Sequence, residues 1–268
     1  MILPETQTII KARLASIEKE YQIKILYACE SGSRAWGFPS PDSDYDVRFI
    51  YVHPIEWYLR LDEERDVIDL PLEETSAGLL DLAGWDLRKT MRLLSKSNPA
   101  IWEWLQSPIC YHLISPLNLQ DYRHVLDPFY SPITACHHYL SICRNTMAQA
   151  FVEEMVKVKK YFYMLRPLLA ALWIERYRMI PPMELVLLLP VIDDQIEIQT
   201  CILDLQTRKF HIDEQIPIPR IAMLDEFLVR ELARLQDVAK ILPVGFGDKA
   251  CLDHLFQQCL GFIYDAEH

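Results

Sequence analysis

The first fifty residues change from a helical to a strand-like pattern of hydrophobic positions. In residues 5–20 the apolar residues recur at the three- and four-residue spacing of an amphipathic helix; they are Ile9, Ile10, Leu14 and Ile17. The run IKILYAC that follows is short and rich in strand formers. In the next stretch Tyr45, Val47, Phe49 and Tyr51 alternate with Asp44, Asp46, Arg48 and Ile50. Because strand side chains point alternately to two faces, this alternation predicts a strand that turns Tyr45 and Val47 towards the core.

The rest of the chain predicts two more strands and then many helices. DVIDLPLE and GLLDLAGW resemble strands joined by the polar segment EETSA. Asp86 is placed to cap a helix through DLRKTMRLLSKS, and Asn98-Pro99 ends that helix and starts AIWEWLQ. From about Pro128 the spacing is almost wholly helical, and Pro167 is expected to kink or divide the longest stretch. We therefore predict an α+β fold, with a mixed-sheet domain over residues 1–127 and an all-helical domain over residues 128–268.

Composition narrows the class of protein. The chain has 268 residues, of which 51% are hydrophobic and 24% charged, as in a folded globular protein. No run reaches the ~18 apolar residues of a membrane span, and the N-terminal segment lacks the pattern of a signal peptide, so we expect no membrane contact and a cytoplasmic location. The seven cysteines form no CxxC pair, which disfavours both a disulfide framework and a zinc site.

The net charge of −11 disfavours a long basic surface for nucleic acid. It favours a small substrate, a local basic cleft, or a substrate that binds through metal ions.

Two aspartates on the predicted strand suggest a metal site. Asp44 and Asp46 lie two residues apart, so their side chains point to the same face. Adjacent carboxylates repel each other, and a cation between them relieves that repulsion. Hard oxygen ligands suit Mg²⁺, with Mn²⁺ as an alternative. Arg48 follows on the same face and could neutralise part of the charge or hold a phosphate.

A glycine turn precedes the acids. Ser31-Gly32-Ser33 follows the strand IKILYAC, and glycine lets a backbone approach a ligand closely. A helix starting near Ser33 would offer unpaired N–H groups to an anion. An acidic turn before a strand is often only solvated surface. The combination of strand, Gly-Ser, ten residues, Asp-x-Asp and second strand favours transfer of a phosphate-bearing group.

These residues resemble a known signature. Gly32-Ser33, the ten-residue spacer and DYDV are similar to the G-[GS] and D-x-[DE] motifs of the polymerase-beta-like nucleotidyltransferase superfamily. GSRAWGFPSPDSDYDVRFIYV, GWDLRKTMRLLSKSNPAIWEWLQSPICY and KKYFYMLRPLLAALWIE resemble a branch of predicted nucleotidyltransferases sometimes linked with RNA ligases. The resemblance covers roughly residues 25–185 and implies a nucleotidyltransferase-type mixed sheet with flanking helices.

The superfamily normally uses a third carboxylate on a neighbouring strand. The candidates are Asp66, Asp69, Asp81 and Asp86. Asp81 lies mid-strand among apolar residues, where an unpartnered charge is expensive, and its place in the family block favours it. Asp69 is the competitor, whereas Asp86 fits the role of a helix cap.

A basic and aromatic stripe lies on the predicted helix KVKKYFYMLRPLL. At ~100° per residue its buried face holds Val158, Phe162, Leu165 and Leu169. Beside that face, Lys159, Tyr163 and Arg166 form a stripe suited to a triphosphate tail and a base. A merely solvated basic face is an equal alternative. Among the family residues, Arg34 is expected to reach a phosphate and Trp36 to pack.

The resemblance implies an enzyme that moves an NMP from an NTP to an acceptor hydroxyl and releases pyrophosphate. Asp44, Asp46 and Asp81 would be the metal-binding and catalytic residues. Nucleotide binding would fall to Gly32, Ser33, Arg34, Lys159, Tyr163 and Arg166. The acceptor could be an RNA end, a protein hydroxyl or a small molecule. The alternative is a non-catalytic nucleotide-binding or regulatory module, such as an antitoxin-like partner.

Overall fold

The computed structural model describes residues 2–114, 119–211 and 216–265. The α-helices are α1 (Pro4–Tyr21), α2 (Gly32–Trp36), α3 (Ile55–Tyr58), α4 (Leu87–Ser95), α5 (Pro99–Trp104), α6 (Arg123–Leu126), α7 (Pro132–Ala150), α8 (Val158–Tyr177), α9 (Leu185–Leu188), α10 (Ile196–Lys209), α11 (Ala222–Ala239) and α12 (Lys249–Asp265). The strands are β1 (Lys24–Glu30), β2 (Tyr45–Val52), β3 (Val67–Asp69), β4 (Glu73–Thr75), β5 (Gly78–Asp86), β6 (Cys110–Leu113), β7 (Met155–Lys157) and β8 (Pro217–Pro219). Short 3₁₀ helices cover Leu119–Tyr122, Asp127–Phe129 and Leu189–Ile192.

A mixed sheet organises the N-terminal part. Its strand order is β3-β5-β2-β1-β6, with β4 also paired to β5. Only β2 and β5 run parallel among its described pairs, and the other pairs are antiparallel. The parallel register sets Asp46 directly beside Asp81 and Tyr51 beside Asp86.

One face of this sheet packs into a hydrophobic core. The alternation predicted for β2 is confirmed, because Tyr45, Val47, Phe49 and Tyr51 all join this core. Helix α1 contributes the apolar face that its spacing predicted, namely Ile10, Leu14 and Ile17. On the opposite face, the rings of Trp85 and Trp104 stack with centroids 3.9 Å apart.

Helix caps follow the sequence closely. The Asp86 carboxylate accepts a hydrogen bond from the Arg88 N–H at 2.8 Å and so starts α4. The Asn98 side chain accepts from the Ala100 N–H at 3.0 Å and starts α5. The predicted cap at Asp86 and the predicted helix start at Asn98-Pro99 are confirmed. Part of the segment EETSA, expected to be only a connection, forms β4, which pairs antiparallel with β5. The pattern also gave no sign of β6.

By contacts, the chain forms two compact units. The first consists of Met1–Gly32, Asp44–Phe129 and Phe246–His268. The second consists of Ser33–Ser43 and Tyr130–Gly245. The first unit contains the mixed sheet and also α12, which packs against α4.

The second unit is mainly helical. Helices α7 and α8 pack along each other, and α11 packs against both. The buried face predicted for α8 is confirmed, since Val158, Phe162, Leu165 and Leu169 are fully buried. Helix α8 runs through Pro167 without a division. The long stretch is interrupted instead before Val158, where β7 pairs with β8.

Burial explains why the helix continues through Pro167. A proline in a helix removes one backbone hydrogen bond and costs about 3 kcal/mol. The residues around it, from Met164 to Leu172, are all buried, and the packing of their side chains offsets that penalty.

The predicted α+β class with C-terminal helices is confirmed, and the short β7–β8 ribbon is an addition to it. In the part of the chain that the structure describes, no helix is both long enough and apolar enough to cross a membrane. All seven cysteines are free.

Candidate functional site

Three aspartates converge where the first residues of β2 lie beside β5. Asp44 immediately precedes β2, Asp46 is on β2, and Asp81 is its neighbour on β5. One carboxylate oxygen from each of them lies within 4.8 Å of the others. Asp69 pairs with Ala83 at the edge strand and is exposed, outside this cluster. The structure therefore brings Asp81, and not Asp69, to the Asp-x-Asp motif.

Arg48 ties two of the carboxylates together. Its Nη2 donates to Asp46 Oδ1 at 3.0 Å and to Asp81 Oδ2 at 2.7 Å. Its Nη1 donates to the main-chain oxygen of Asp81 at 2.8 Å. Of the two roles considered for Arg48, the structure shows charge neutralisation, and the guanidinium also fixes the orientation of both carboxylates.

Burial disfavours the ionised form of Asp46 in this cluster. It raises the pKa of Asp46 to about 6; Arg48 opposes this rise, while the charges of Asp44 and Asp81 add to it. Burial lowers the pKa of Arg48, but its hydrogen bond to Asp81 and the charges of Asp46 and Asp81 outweigh that effect and raise it overall. The raised pKa favours the protonated form of Asp46, and an added cation would favour its ionised form.

Gly32 lies against the Asp46 carboxylate. Its φ is +58°, a left-handed conformation that favours glycine, and a Cβ at this position would overlap the carboxylate group of Asp46. The neighbouring Ser31 N–H donates to the Asp46 main-chain oxygen at 2.8 Å. Glycine is required at this position because the backbone passes too close to the Asp46 carboxylate to leave room for a Cβ.

Glu30 is a supporting residue that the sequence reasoning missed. It is fully buried at the end of β1, where its Oε1 accepts a hydrogen bond from the Asp46 N–H at 3.1 Å. The Tyr111 hydroxyl donates to the other carboxylate oxygen. The sequence feature that could have indicated this role is an acidic residue, Glu30, directly after the apolar run IKILYAC. Glu30 fixes the backbone that carries Asp46.

Ser33 and Arg34 lie in α2, which begins where the glycine turn predicted a helix. The Ser33 hydroxyl donates to Ser43 Oγ at 3.1 Å. The Arg34 guanidinium donates to the Ser43 main-chain oxygen at 2.6 Å. In this structure both side chains bind Ser43, the residue before Asp44. The sequence alone did not predict these contacts.

The α8 stripe forms an aromatic and cationic group with Trp36. The Lys159 ammonium is 5.6 Å from the centroid of the Tyr163 ring, and that ring meets Trp36 edge-on at 5.6 Å. The Arg166 guanidinium lies 4.6 Å from the Trp36 ring centroid and donates to the Met183 carbonyl at 3.0 Å. Arg166 is only 4% exposed, which contradicts a fully solvated basic face.

The donor set of the carboxylate cluster fits a hard divalent cation. Carboxylate oxygens are the ligands that Mg²⁺ and Mn²⁺ accept, and Mg²⁺ commonly keeps several waters beside a few carboxylates. Asp44, Asp46 and Asp81 could supply that set, while Arg48 holds two of them in place. Zinc would favour nitrogen or sulfur donors, which are absent from the cluster.

The comparison with protein families agrees with this geometry. A sequence model described as "RNA repair pathway DNA polymerase beta family" matches residues 6–258. The chain belongs to this family. The family assignment confirms the resemblance drawn from the Gly-Ser and Asp-x-Asp motifs, and it supports transferase activity of the nucleotidyl-transfer type at a general level.

Two further proteins are similar to this member of the family. "Uncharacterized protein YcgL" of Bacillus subtilis (strain 168) is 43% identical over 229 residues, covering 85% of this chain and 86% of that protein. The crystal structure of a nucleotidyltransferase-like protein from Exiguobacterium sibiricum 255-15 aligns with a TM-score of 0.31 and 12% identity, covering 86% of this chain and 74% of that chain.

Proposed function

We propose that the protein is a divalent-metal-dependent nucleotidyltransferase that moves an NMP from an NTP to an acceptor hydroxyl and releases pyrophosphate. The observation that carries this proposal is the convergence of the Asp44, Asp46 and Asp81 carboxylates on two parallel strands, in a chain of the polymerase-beta type. Three acids held this close are stable mainly when a cation joins them.

The three acids have distinct roles in this proposal. Asp44 and Asp46 hold the metal ions, and Asp81 joins them on the side where the acceptor hydroxyl is positioned. Bound Mg²⁺ or Mn²⁺ would neutralise phosphate charge and favour deprotonation of the acceptor. Arg48 orients Asp46 and Asp81, and Glu30 holds the Asp46 backbone.

Nucleotide binding is assigned to Gly32, Ser33 and Arg34 and to the α8 residues Lys159, Tyr163 and Arg166. Gly32 keeps space open beside Asp46. Lys159 offers a cation over the Tyr163 ring, a combination suited to a phosphate tail and a base. Arg166, packed on Trp36, contributes by holding the aromatic group rather than by moving to the ligand.

An RNA 3′ end is the favoured acceptor, ahead of a protein hydroxyl or a small molecule. The description of the matching family, an RNA repair pathway, supports this choice. The net charge of −11 disfavours a long duplex track and favours a short or terminal acceptor. We place the reaction in the cytoplasm.

Labelled ATP, CTP, GTP and UTP, incubated with the protein, Mg²⁺ or Mn²⁺ and total cell extract, test the proposal. We expect label to enter RNA with release of pyrophosphate, and neither to occur with Asp44→Asn. An Asp42→Asn variant is the matched control, because Asp42 is acidic and nearby in sequence but outside the cluster.

Label in protein alone would overturn the RNA preference, and label in a small molecule alone would do the same. No incorporation and no pyrophosphate with any NTP would contradict the enzyme and favour the non-catalytic nucleotide-binding module.

A further inference from the structure

The segment between the two signature motifs, residues 33–43, is held by a compact network of hydroxyl groups. We name it the signature loop. Ser33 Oγ donates to Ser43 Oγ at 3.1 Å, and Ser40 and Ser43 hydroxyls are 2.9 Å apart. The Ser40 N–H also donates to Ser43 Oγ at 3.0 Å. All three serines are buried, so their hydroxyls exchange hydrogen bonds with one another.

The end of helix α10 reaches this network from about 170 residues later in the sequence. Lys209 Nζ lies 3.2 Å from Ser40 Oγ, and Gln206 Nε2 donates to the Gly37 carbonyl at 2.6 Å. Lys209 is fully buried, with its Nζ 5.6 Å from the centroid of the Phe38 ring. Phe38 in turn stacks on Phe162 of α8 with centroids 4.7 Å apart. Two side chains of one helical turn therefore grip the signature loop at two points.

Hydrogen bonds connect Lys209 to Ser33 through Ser40 and Ser43. A lysine amine donates, so Ser40 Oγ accepts from Lys209. Ser43 Oγ accepts hydrogen bonds from the Ser40 N–H and from the Ser33 hydroxyl, and it lies 2.9 Å from the Ser40 hydroxyl. In this arrangement the Ser33 hydroxyl proton points to Ser43. The orientation of Ser33 therefore depends on Ser43 and, through Ser40, on Lys209.

Burying the amine of a lysine costs free energy. Transfer of an amine from water into a protein interior is unfavourable, whereas a methionine of similar length fills such a site without that penalty. Packing alone thus gives no reason for an amine at this position. The contact with Ser40 gives one, because an amine can donate to the hydroxyl chain and methionine cannot.

We propose that Lys209 is a positioning residue for nucleotide binding, which acts by holding the signature loop through Ser40, with Gln206 as its second anchor. This proposal rests on the proposed function of Gly32 and Ser33. Misplacement of a substrate-binding group by about 1 Å can lower a rate by roughly 10²-fold. Loss of the Lys209 contact is therefore expected to lower kcat/KM through a higher KM for NTP, without changing the carboxylates.

The test compares Lys209→Met and Ser40→Ala with Arg208→Met in the full-length chain. Arg208 is the exposed neighbour of Lys209 on α10, so its replacement removes a cation from the same helix without reaching the loop. Ser40→Ala keeps Lys209 and the packing around it, and it serves if Lys209→Met folds poorly. The two measurements are amide hydrogen exchange across the second unit and the steady-state constants for NTP.

We expect at least tenfold faster exchange at the Phe38 and Ser43 amides in both loop variants, with unchanged exchange in α7 and α11. We also expect the KM for NTP to rise roughly tenfold or more, and the double variant to show no more than the larger single effect. Arg208→Met should match the wild-type chain in both measurements.

Unchanged exchange at these amides, or a general acceleration across the unit, would overturn the positioning role. Additive effects of the two substitutions on KM would do the same. If the wild-type chain turns over no NTP, the proposed function fails and with it the catalytic meaning of Lys209, while the exchange data still decide whether Lys209 holds the loop.

Discussion

The carboxylate cluster and the signature loop reach their shapes by opposite routes. The cluster is set by the backbone, because the parallel register of β2 and β5 places Asp46 beside Asp81. The loop is set by side chains, because Lys209 and Gln206 hold it from α10. Substitutions in the cluster should therefore change its chemistry and leave its shape intact. Substitutions around the loop should change its shape.

The largest effect is expected from the cluster. Asp44→Asn or Asp46→Asn keeps the side-chain volume but removes a charge that would bind metal, so turnover should fall by about 10³-fold or more. Melting temperature without metal should stay equal or rise, because the repulsion among the acids is reduced. Pyrophosphate release and thermal unfolding measure the two effects. Full activity in both single variants would show that these acids hold no catalytic metal.

Asp81→Ala should separate binding from chemistry. Asp44 and Asp46 remain to hold the metal that accompanies the nucleotide, so NTP binding should persist while turnover falls by about 10²–10³-fold. Asp69→Ala is the control, since Asp69 is an acid on a neighbouring strand outside the cluster. Equilibrium binding of a non-hydrolysable NTP, beside the rate of pyrophosphate release, makes the distinction. Normal turnover in Asp81→Ala together with loss in Asp69→Ala would reassign the third carboxylate.

Two glycines offer a matched test of close approach. Gly32 and Gly37 have φ values of +58° and +87°, so an alanine at either is strained by roughly 1–2 kcal/mol. A Cβ at Gly32 would also overlap the Asp46 carboxylate, whereas one at Gly37 would meet no atom within 4 Å. Gly32→Ala should lose about 10–10²-fold in kcat, whereas Gly37→Ala, which strains the signature loop without displacing Asp46, should change kcat much less at a similar loss of stability. Equal activity losses would mean that backbone strain, and not the position of Asp46, is what matters.

The smallest effect is a pH dependence of stability in metal-free protein. The pKa of Asp46 is raised to about 6 from 3.8, so the folded state holds this proton more tightly than the unfolded state. The resulting stabilisation is fully present below about pH 4 and is lost as the pH rises through 6. Relative to Asp46→Asn, the wild-type chain should lose about 1–2 kcal/mol of unfolding free energy between pH 4.5 and 7.5. Urea unfolding in EDTA measures it; a pH-independent difference would contradict the raised pKa.

The difference between the carboxylate cluster, which is set by the backbone, and the signature loop, which is held by distant side chains, also explains which features could be predicted from the sequence. The same-face placement of Asp44 and Asp46 follows from strand alternation over three residues. Asp81 was favoured by its mid-strand position and by its place in the family block, and the parallel register brings it to Asp46. The cap at Asp86 and the helix boundary at Asn98-Pro99 could be predicted for the same reason, because both depend on neighbouring residues.

Other features depend on partners far away in the chain and gave no local signal. Arg48 had two open roles until Asp81, 33 residues away, was seen to accept its hydrogen bonds. Lys209 looks like an ordinary basic residue near a helix end, and only the fold shows it buried against Ser40. Pro167 was expected to kink or divide the helical stretch, and it does not divide it, because tertiary packing outweighs the local tendency of proline to end a helix.

The route of the chain between the two compact units has an evolutionary consequence. The chain passes from one unit to the other after Gly32, Ser43, Phe129 and Gly245. The first two of these points flank eleven residues that sit inside the signature, between its glycine and its first aspartate. If recombination replaced the C-terminal helices as one unit, those eleven residues would lose the contacts of Lys209 and Gln206 that hold them. The two units are therefore expected to have been inherited together, with changes in α10 matched by changes between Gly32 and Asp44.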